Sequence, residues 1–421
     1  MINEFKPLFT SSKFMYLWSS QILSQISVNM MNFLLLTRLF TVTGSTIATS
    51  LLWVAFALPA IFFGPIGAAS VDLVSKRKML MITNLLQAVT VFMYIFTHQQ
   101  SVFLLYAVVV LYSLLNQFYV PAESASLPSV VNKKYFAQAN SLFFITQQAA
   151  LVVGFGLAGV VLNVLGFSGS LIACSLFLFL AFLATAFLPE MKSKIGIPES
   201  FEKIIIAFFK SIYEGYEFIK GKKSILYPLF FLLGLQVALA MIVVNLPVIA
   251  TQILGVSVSF AGLLVVVPAG LGATIGSIFT SKYLKNGIRK RIVIEYSLAG
   301  LGLSILALIF LISYLPIFIR LIAEIFFVFF SGFGFVGTNI PTLTHLQEVT
   351  PEWLRGRVFG NLGFLVTIAT VFPVIFSGVI TDFFGVRTLF ALMGLSVFAA
   401  FVYLKKNGQN LVSENFSKIK S

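Results

Sequence analysis

Apolar residues run through this chain in stretches of roughly 20 or more, a bilayer's thickness of helix, with polar punctuation between them. These stretches predict helices at about 14–40, 46–70, 79–97, 101–122, 137–165 and 168–188. After a polar segment they resume at about 227–252, 260–281, 292–314, 317–342, 358–382 and 387–404. Twelve such spans bring both termini to the same side. The predicted fold class is an all-α membrane protein with twelve transmembrane helices in two six-helix halves. The expected organisation is an N-terminal bundle at 1–188, a connector at 189–226, a C-terminal bundle at 227–404 and a tail at 405–421.

The halves read as pseudo-symmetric copies. Pro59-Ala60 with Ile66-Gly67 recurs 209 positions later as Pro268-Ala269 with Ile275-Gly276. Further on the offset is 219: Leu127 and Val130 match Leu346 and Val349, and Gly159, Asn163 and Gly166 match Gly378, Asp382 and Gly385. Weak internal symmetry of this kind marks transporters built from parallel repeats. In the connector, Phe201, Ile204, Ile205, Phe208, Ile212, Tyr216 and Ile219 recur at helical spacing among lysines, as in an amphipathic helix lying on an anionic leaflet.

Composition and charge sharpen this picture. The chain is 59% hydrophobic and 10% charged, with 47 phenylalanines among 421 residues, which excludes a single soluble domain. A net charge of +14 could suggest a nucleic-acid partner, but all of the 28 basic residues except Arg38, Arg320 and Arg387 fall in alternate loops and the termini. That is the positive-inside asymmetry, so both termini and the connector are expected in the cytoplasm. Cys174 is the lone cysteine, which removes disulfides and cysteine metal sites. The first apolar stretch is too long for a cleaved signal peptide.

Between the second and third helices, Gly64 to Lys78 reads GPIGAASVDLVSKRK, with Asp72 ahead of Lys76, Arg77 and Lys78. This resembles the cytoplasmic loop joining helices 2 and 3 of major facilitator superfamily transporters. Ala68 stands where that family has glycine, and Leu73 replaces a basic residue. Three other stretches resemble the superfamily's macrolide-efflux-like branch. They are Leu17-Trp18 with Gln21 and Ser24, Pro121-Ala122 with Leu127-Pro128 and Gln138-Ala139-Asn140, and Leu346-Gln347 through Leu354-Arg355-Gly356-Arg357-Val358-Phe359. Glu123 occupies a place where relatives usually carry arginine. The resemblance implies rocker-switch alternating access, with Asp72, Lys76, Arg77, Arg355 and Arg357 forming a cytoplasmic gate near the start of helix 11.

Candidate chemistry lies in polar residues inside the spans, which are costly in hydrocarbon unless they face protein or a wet cavity. Gln21, Gln25, Asn29 and Asn32 step by 4, 4 and 3 along the first helix, forming one stripe. Asn116 and Gln117 follow in the fourth helix, Gln147 and Gln148 in the fifth, Gln236 and Asn245 in the seventh, and Thr338 and Asn339 in the tenth. The resemblance implies that these amides line the transport cavity; the bland reading is interhelical hydrogen bonding. Phe326, Phe329, Phe330 and Phe335 could supply flat apolar walls. Such a pocket suits an amphiphilic solute better than a phosphate or dicarboxylate, which would call for mid-depth Arg or Lys.

An enzyme is not expected. His98 and His345 lie near opposite helix ends, and Gly215 to Lys223 only approximates a nucleotide-binding loop. No cofactor or metal is expected. The candidates for energy coupling are Glu324, Arg320 one turn before it, and Glu123 at the inner mouth of the fourth helix. The reading is a multi-pass secondary transporter of the bacterial inner (plasma) membrane, an antiporter exporting amphiphilic molecules. Its partners are the bilayer, a small-molecule substrate and protons; it acts as a monomer and binds no nucleic acid. Two alternatives stay open: a carrier of a defined metabolite such as a siderophore or lysophospholipid, and a non-transporting sensor or scaffold on the same fold.

Overall fold

The computed structural model describes residues 2–191, 223–310 and 316–411, with the single positions 206, 210, 213, 214, 217 and 220 between the first two segments. The amphipathic segment expected at 201–219 therefore lies almost wholly outside the described residues, as does the end of the tail. Among the described residues the chain is helical and contains no strand.

A short helix absent from the apolar pattern, α1 (Ile2–Phe9), precedes the first span. Its Leu8 packs into a buried cluster with Phe14 and Leu17. The first span, α2 (Ser12–Thr43), starts where Ser11 Oγ accepts from the Phe14 amide and stops at Gly44, whose φ of 65° gives the left-handed turn that ends helices. Then come α3 (Thr46–Leu73), α4 (Lys76–Thr97) and α5 (Val102–Val130). Next, α6 (Phe136–Ala186) runs for 51 residues. At about 1.5 Å per residue that is more than twice a bilayer core. Gly166, at φ 69° and ψ −177°, breaks it into two arms at the boundary expected between 137–165 and 168–188. Eleven candidate spans are present among the described residues, one of them this double helix, so the chain makes twelve crossings.

The second half opens with α7 (Lys223–Val244). The apolar pattern predicts a single span over 227–252, but α7 ends at Val244, just before Asn245. A short helical turn (Leu246–Val248) and a π-helical turn (Ile249–Leu254) follow, ending at Gly255. Pro247 supplies no amide for the helical ladder, which accounts for the interruption. The remaining helices are α8 (Val267–Lys285), α9 (Lys290–Phe310), α10 (Ile317–Val349), α11 (Glu352–Phe384) and α12 (Val386–Leu411).

The chain forms two compact units. The first holds 1–44 and 51–208, and the second holds 45–50 and 209–421, so the first turn of α3 belongs with the second unit. In the first unit α2 packs along α6, and α4 packs on α5 and α6. In the second, α10 packs along α8 and α9, while α9 meets α12. Large side chains such as Phe62, Phe96, Phe318 and Phe372 are mostly exposed, as suits surfaces solvated by lipid tails.

The repeated glycines have one job in both units. A Cβ on Gly67 would fall on the Gln117 carbonyl, so α3 and α5 touch backbone to backbone. The equivalent Gly276 would place a Cβ 3.0 Å from the Phe333 Cα on α10. Close approach through small residues is how helices bind one another where lipid is as apolar as leucine.

Candidate functional site

In the first unit the α2 stripe divides in two. Gln21 is buried, its Nε2 donating to the Phe143 carbonyl on α6 at 3.3 Å. Asn29 is buried too, and its Nδ2 donates to the Gln25 carbonyl at 2.8 Å. Gln25 and Asn32 stay half-buried, as do Asn116 and Gln117 on α5. Gln117 Nε2 donates to the Ser113 carbonyl at 3.1 Å, which leaves its Oε1 without a hydrogen bond of its own in the helix. Gln147 and Gln148 on α6 are exposed. The expected amides that stay half-buried or exposed in this unit are therefore Gln25, Asn32, Asn116, Gln117, Gln147 and Gln148.

In the second unit Asn245 is fully buried and fully used. Its Nδ2 donates to the Met241 carbonyl at 2.8 Å and to Ser377 Oγ at 3.1 Å, while its Oδ1 accepts from Thr381 Oγ1 at 2.7 Å. It ties α7 to α11 at the point where α7 stops. Gln236 and Asn339 are half-buried, whereas Thr338 is folded back onto the Gly334 carbonyl. A cavity of about 470 Å³ opens among α8, α9 and α10, lined by Tyr283, Tyr296, Ser297, Phe330 and Phe333 among others. None of the expected amides lines it, and of the four expected aromatic walls only Phe330 does.

The charged groups sort themselves by partner. Arg320 Nε donates to Glu324 Oε1 at 2.9 Å, and the Glu324 side chain is wholly buried. This pair places no net charge inside α10. Arg77 donates to the Ala186 carbonyl at 2.5 Å, fastening the start of α4 to the end of α6. Lys76, beside it, is half-buried, and the expected gate side chains Asp72, Arg355 and Arg357 lie outside the described residues. Glu123 requires a correction. It is not a charge at an open mouth but is only 5% exposed, and it accepts from the Tyr119 hydroxyl at 2.8 Å. Tyr119, one turn earlier and itself buried, covers it.

Sequence reasoning missed the role of Asp382. Its Oδ1 accepts from the Thr46 amide at 2.7 Å, and its Oδ2 accepts from Ser45 Oγ at 2.7 Å and from the Ile47 amide at 3.0 Å. A carboxylate on α11 thus caps the first turn of α3, whose amides have no partners within their own helix. Gly378, one turn earlier on α11, lets that turn approach: a Cβ there would stand 2.8 Å from the Thr46 carbonyl. Outside the spans, His98 Nε2 bonds Ser168 Oγ at 2.9 Å, and its pKa is lowered by burial and then by Arg38.

Comparison with known proteins gives this arrangement a context. The family model described as Major Facilitator Superfamily matches residues 17–346. Two proteins of Bacillus subtilis (strain 168) are similar over most of their length. The uncharacterized MFS-type transporter YfiS is 26% identical over 92% of each chain. The uncharacterized MFS-type transporter YfmI is 22% identical over 91% of this chain and 93% of its own. Among solved structures, the nucleoside transporter NupG superposes with a TM-score of 0.69 at 14% identity, over 93% of this chain and 99% of that one. The POT family transporter PepTSo gives 0.68 at 12% identity, over 95% and 98%. Such identities speak for the fold alone.

Proposed function

Since the chain belongs to the Major Facilitator Superfamily and is a multi-pass membrane transporter, we propose that it exports amphiphilic or largely apolar small molecules from a bacterial cell by rocker-switch alternating access. The observation that carries this reading is the balance of polar groups within the spans. Half-buried amides at Gln25, Asn32, Asn116, Gln117, Gln236 and Asn339 offer hydrogen bonds without charge. Arg320, in the first turn of α10 and the one Lys or Arg of that helix, is paired with Glu324. A phosphate or dicarboxylate would find no free cation there, whereas a molecule with a large apolar body and a few polar atoms would be satisfied.

The macrolide-efflux-like motifs support the outward direction, and the proton-motive force supplies a sufficient drive. One charge moving down roughly 150 mV releases about 3.5 kcal/mol, enough for a gradient of several hundred-fold. The gate reading of Asp72, Lys76, Arg77, Arg355 and Arg357 rests on the motif in Gly64 to Lys78. A defined neutral metabolite is the second reading, favoured by the hydrogen-bonding capacity of the same amides. Growth and efflux in cells with and without the protein, across a panel of toxic amphiphiles, separate the two. Protection against several unrelated amphiphiles supports export. Protection against none, with uptake or release of a single metabolite, supports the second reading. Asp72→Asn should impair flux while insertion stays normal; unchanged flux would reduce the loop to a topology signal.

A further inference from the structure

The first unit contains a buried polar seam that the substrate amides do not use. Glu123 on α5 accepts from the Tyr119 hydroxyl at 2.8 Å; that hydroxyl lies 2.9 Å from Ser24 Oγ on α2; and Ser24 Oγ lies 3.2 Å from the Gln21 carbonyl. All four residues are at most 5% exposed. Beside them Asn84 Nδ2 on α4 donates to Ser20 Oγ at 3.2 Å. Three amide atoms of this seam, Gln21 Oε1, Asn84 Oδ1 and Gln87 Nε2, are buried with no partner in the protein. Buried polar atoms of this kind are normally satisfied by water.

Counting hydrogens along the chain shows what it can do. Each hydroxyl has one hydrogen to give. With Glu123 protonated, its O–H donates to Tyr119, Tyr119 to Ser24, and Ser24 to the Gln21 carbonyl. With Glu123 ionised, Tyr119 donates to the carboxylate instead, and Ser24 turns its hydrogen from the Gln21 carbonyl to the Tyr119 oxygen. The heavy atoms need not move; the Tyr119 and Ser24 hydroxyls rotate. Each form therefore keeps a continuous set of hydrogen bonds from Glu123 to Ser24.

No cation settles the matter. Glu123 is in none of the ion pairs seen among the described residues, such as Lys290–Glu348, Arg291–Glu295 and Arg320–Glu324 in the second unit. On α2 the facing groups are neutral, with Lys13 and Arg38 near its two ends. On α4 they are Asn84 and Gln87, and the basic residues Lys76, Arg77 and Lys78 fall in its first turn, with Arg77 committed to Ala186. The α6 helix carries no Asp, Glu, Lys, Arg or His; its titratable group is the buried Cys174. The charged residue of α3 is Asp72, whose side chain lies outside the described residues. Lys133 and Lys134 stand beyond the end of α5.

We propose that Glu123 is a reversible proton-binding site, with Tyr119 and Ser24 as the hydrogen-bond chain that accommodates both of its forms. On release the Glu123 O–H bond breaks, its electron pair stays on the carboxylate, and the proton passes to a water molecule. Val130, the end of α5, is seven residues away, about 10 Å along the helix axis, which keeps the site within reach of one membrane surface. The role of the site in coupling rests on the proton-driven reading above; its existence does not. It also separates the coupling group from Arg320–Glu324, which is already a pair.

Infrared difference spectroscopy on the full-length protein in lipid nanodiscs, stepped from acid to alkaline buffer, tests the site directly. A protonated-carboxyl band should titrate in the wild type, vanish in Glu123→Gln and persist in Glu324→Gln. In Tyr119→Phe the band should shift in frequency, with its midpoint moved to higher pH by about one unit or more, because the donor to the carboxylate is gone. That variant keeps the test informative if Glu123→Gln does not fold. An unchanged band in Glu123→Gln, an unmoved midpoint in Tyr119→Phe, or a band abolished by sodium rather than choline chloride at fixed pH would overturn the proposal. Rhodamine 6G flux in proteoliposomes answers the separate question of transport. A titrating band without any wild-type flux would support the site and remove the export reading.

Discussion

Asp382 and His98 show how much of this protein's chemistry is fixed by single side chains. Asp382 meets two backbone amides and a serine hydroxyl at the start of α3. Asp382→Ala should therefore cost about 1 kcal/mol or somewhat more in local stability, as loss of a helix cap does. Hydrogen exchange at Thr46 and Ile47 should quicken several-fold in that variant, while Asp382→Asn, still a capping residue, should retain part of the protection. His98 gives a pH signature. Its pKa is lowered in the folded protein, so the unfolded chain binds the proton more readily. Stability is then flat above the ordinary histidine value and falls as pH drops below it, towards the lowered folded value. His98→Gln should flatten that acid limb in a thermal melt; an identical limb in both proteins would assign it elsewhere. Neither role was legible in the sequence, because the Thr46 amide capped by Asp382 is 336 positions away and Ser168 is 70 from His98. Tyr119 one turn before Glu123 was visible, but Ser24, 95 positions from Tyr119, was not.

At the scale of elements the apolar pattern carried nearly everything, because in lipid a helix must satisfy its own backbone and only length and hydropathy remain to be read. Gly166 splits α6 where two adjacent spans were expected, since glycine alone takes φ 69° without strain. The early end of α7 stayed hidden, for Asn245 and Pro247 sit within an uninterrupted apolar run. Pro247 removes one donor from the ladder, and Asn245 turns its side-chain amide towards Ser377 and Thr381 on α11. The glycine repeat makes a testable claim about packing. Gly67→Ala and Gly276→Ala should each destabilise their unit by about 1–3 kcal/mol, since the new methyl meets a neighbouring helix's backbone. Gly363→Ala, with nothing within 4 Å of the added carbon, should be neutral or slightly stabilising. Thermal melts of the three variants in one detergent check the contrast.

For the whole molecule, the basic residues in alternate loops predict a cytoplasmic connector and cytoplasmic termini. Single cysteines introduced at 206 or 213, with Cys174 replaced, should react with an impermeant reagent only after permeabilisation. Labelling in intact cells would invert the topology. Family and fold were readable from Gly64 to Lys78 and from the twelve spans, whereas the substrate was not, since half-buried amides limit charge but not shape. The most direct measurement is uphill movement of rhodamine 6G in proteoliposomes holding the purified protein under an imposed pH gradient. The account predicts accumulation that collapses when the gradient is dissipated and falls at least about tenfold in the double variant Gln25→Ala, Asn116→Ala, the cost of two hydrogen bonds to a solute. Dye movement no faster than in protein-free liposomes, with the protein folded and inserted, would contradict it.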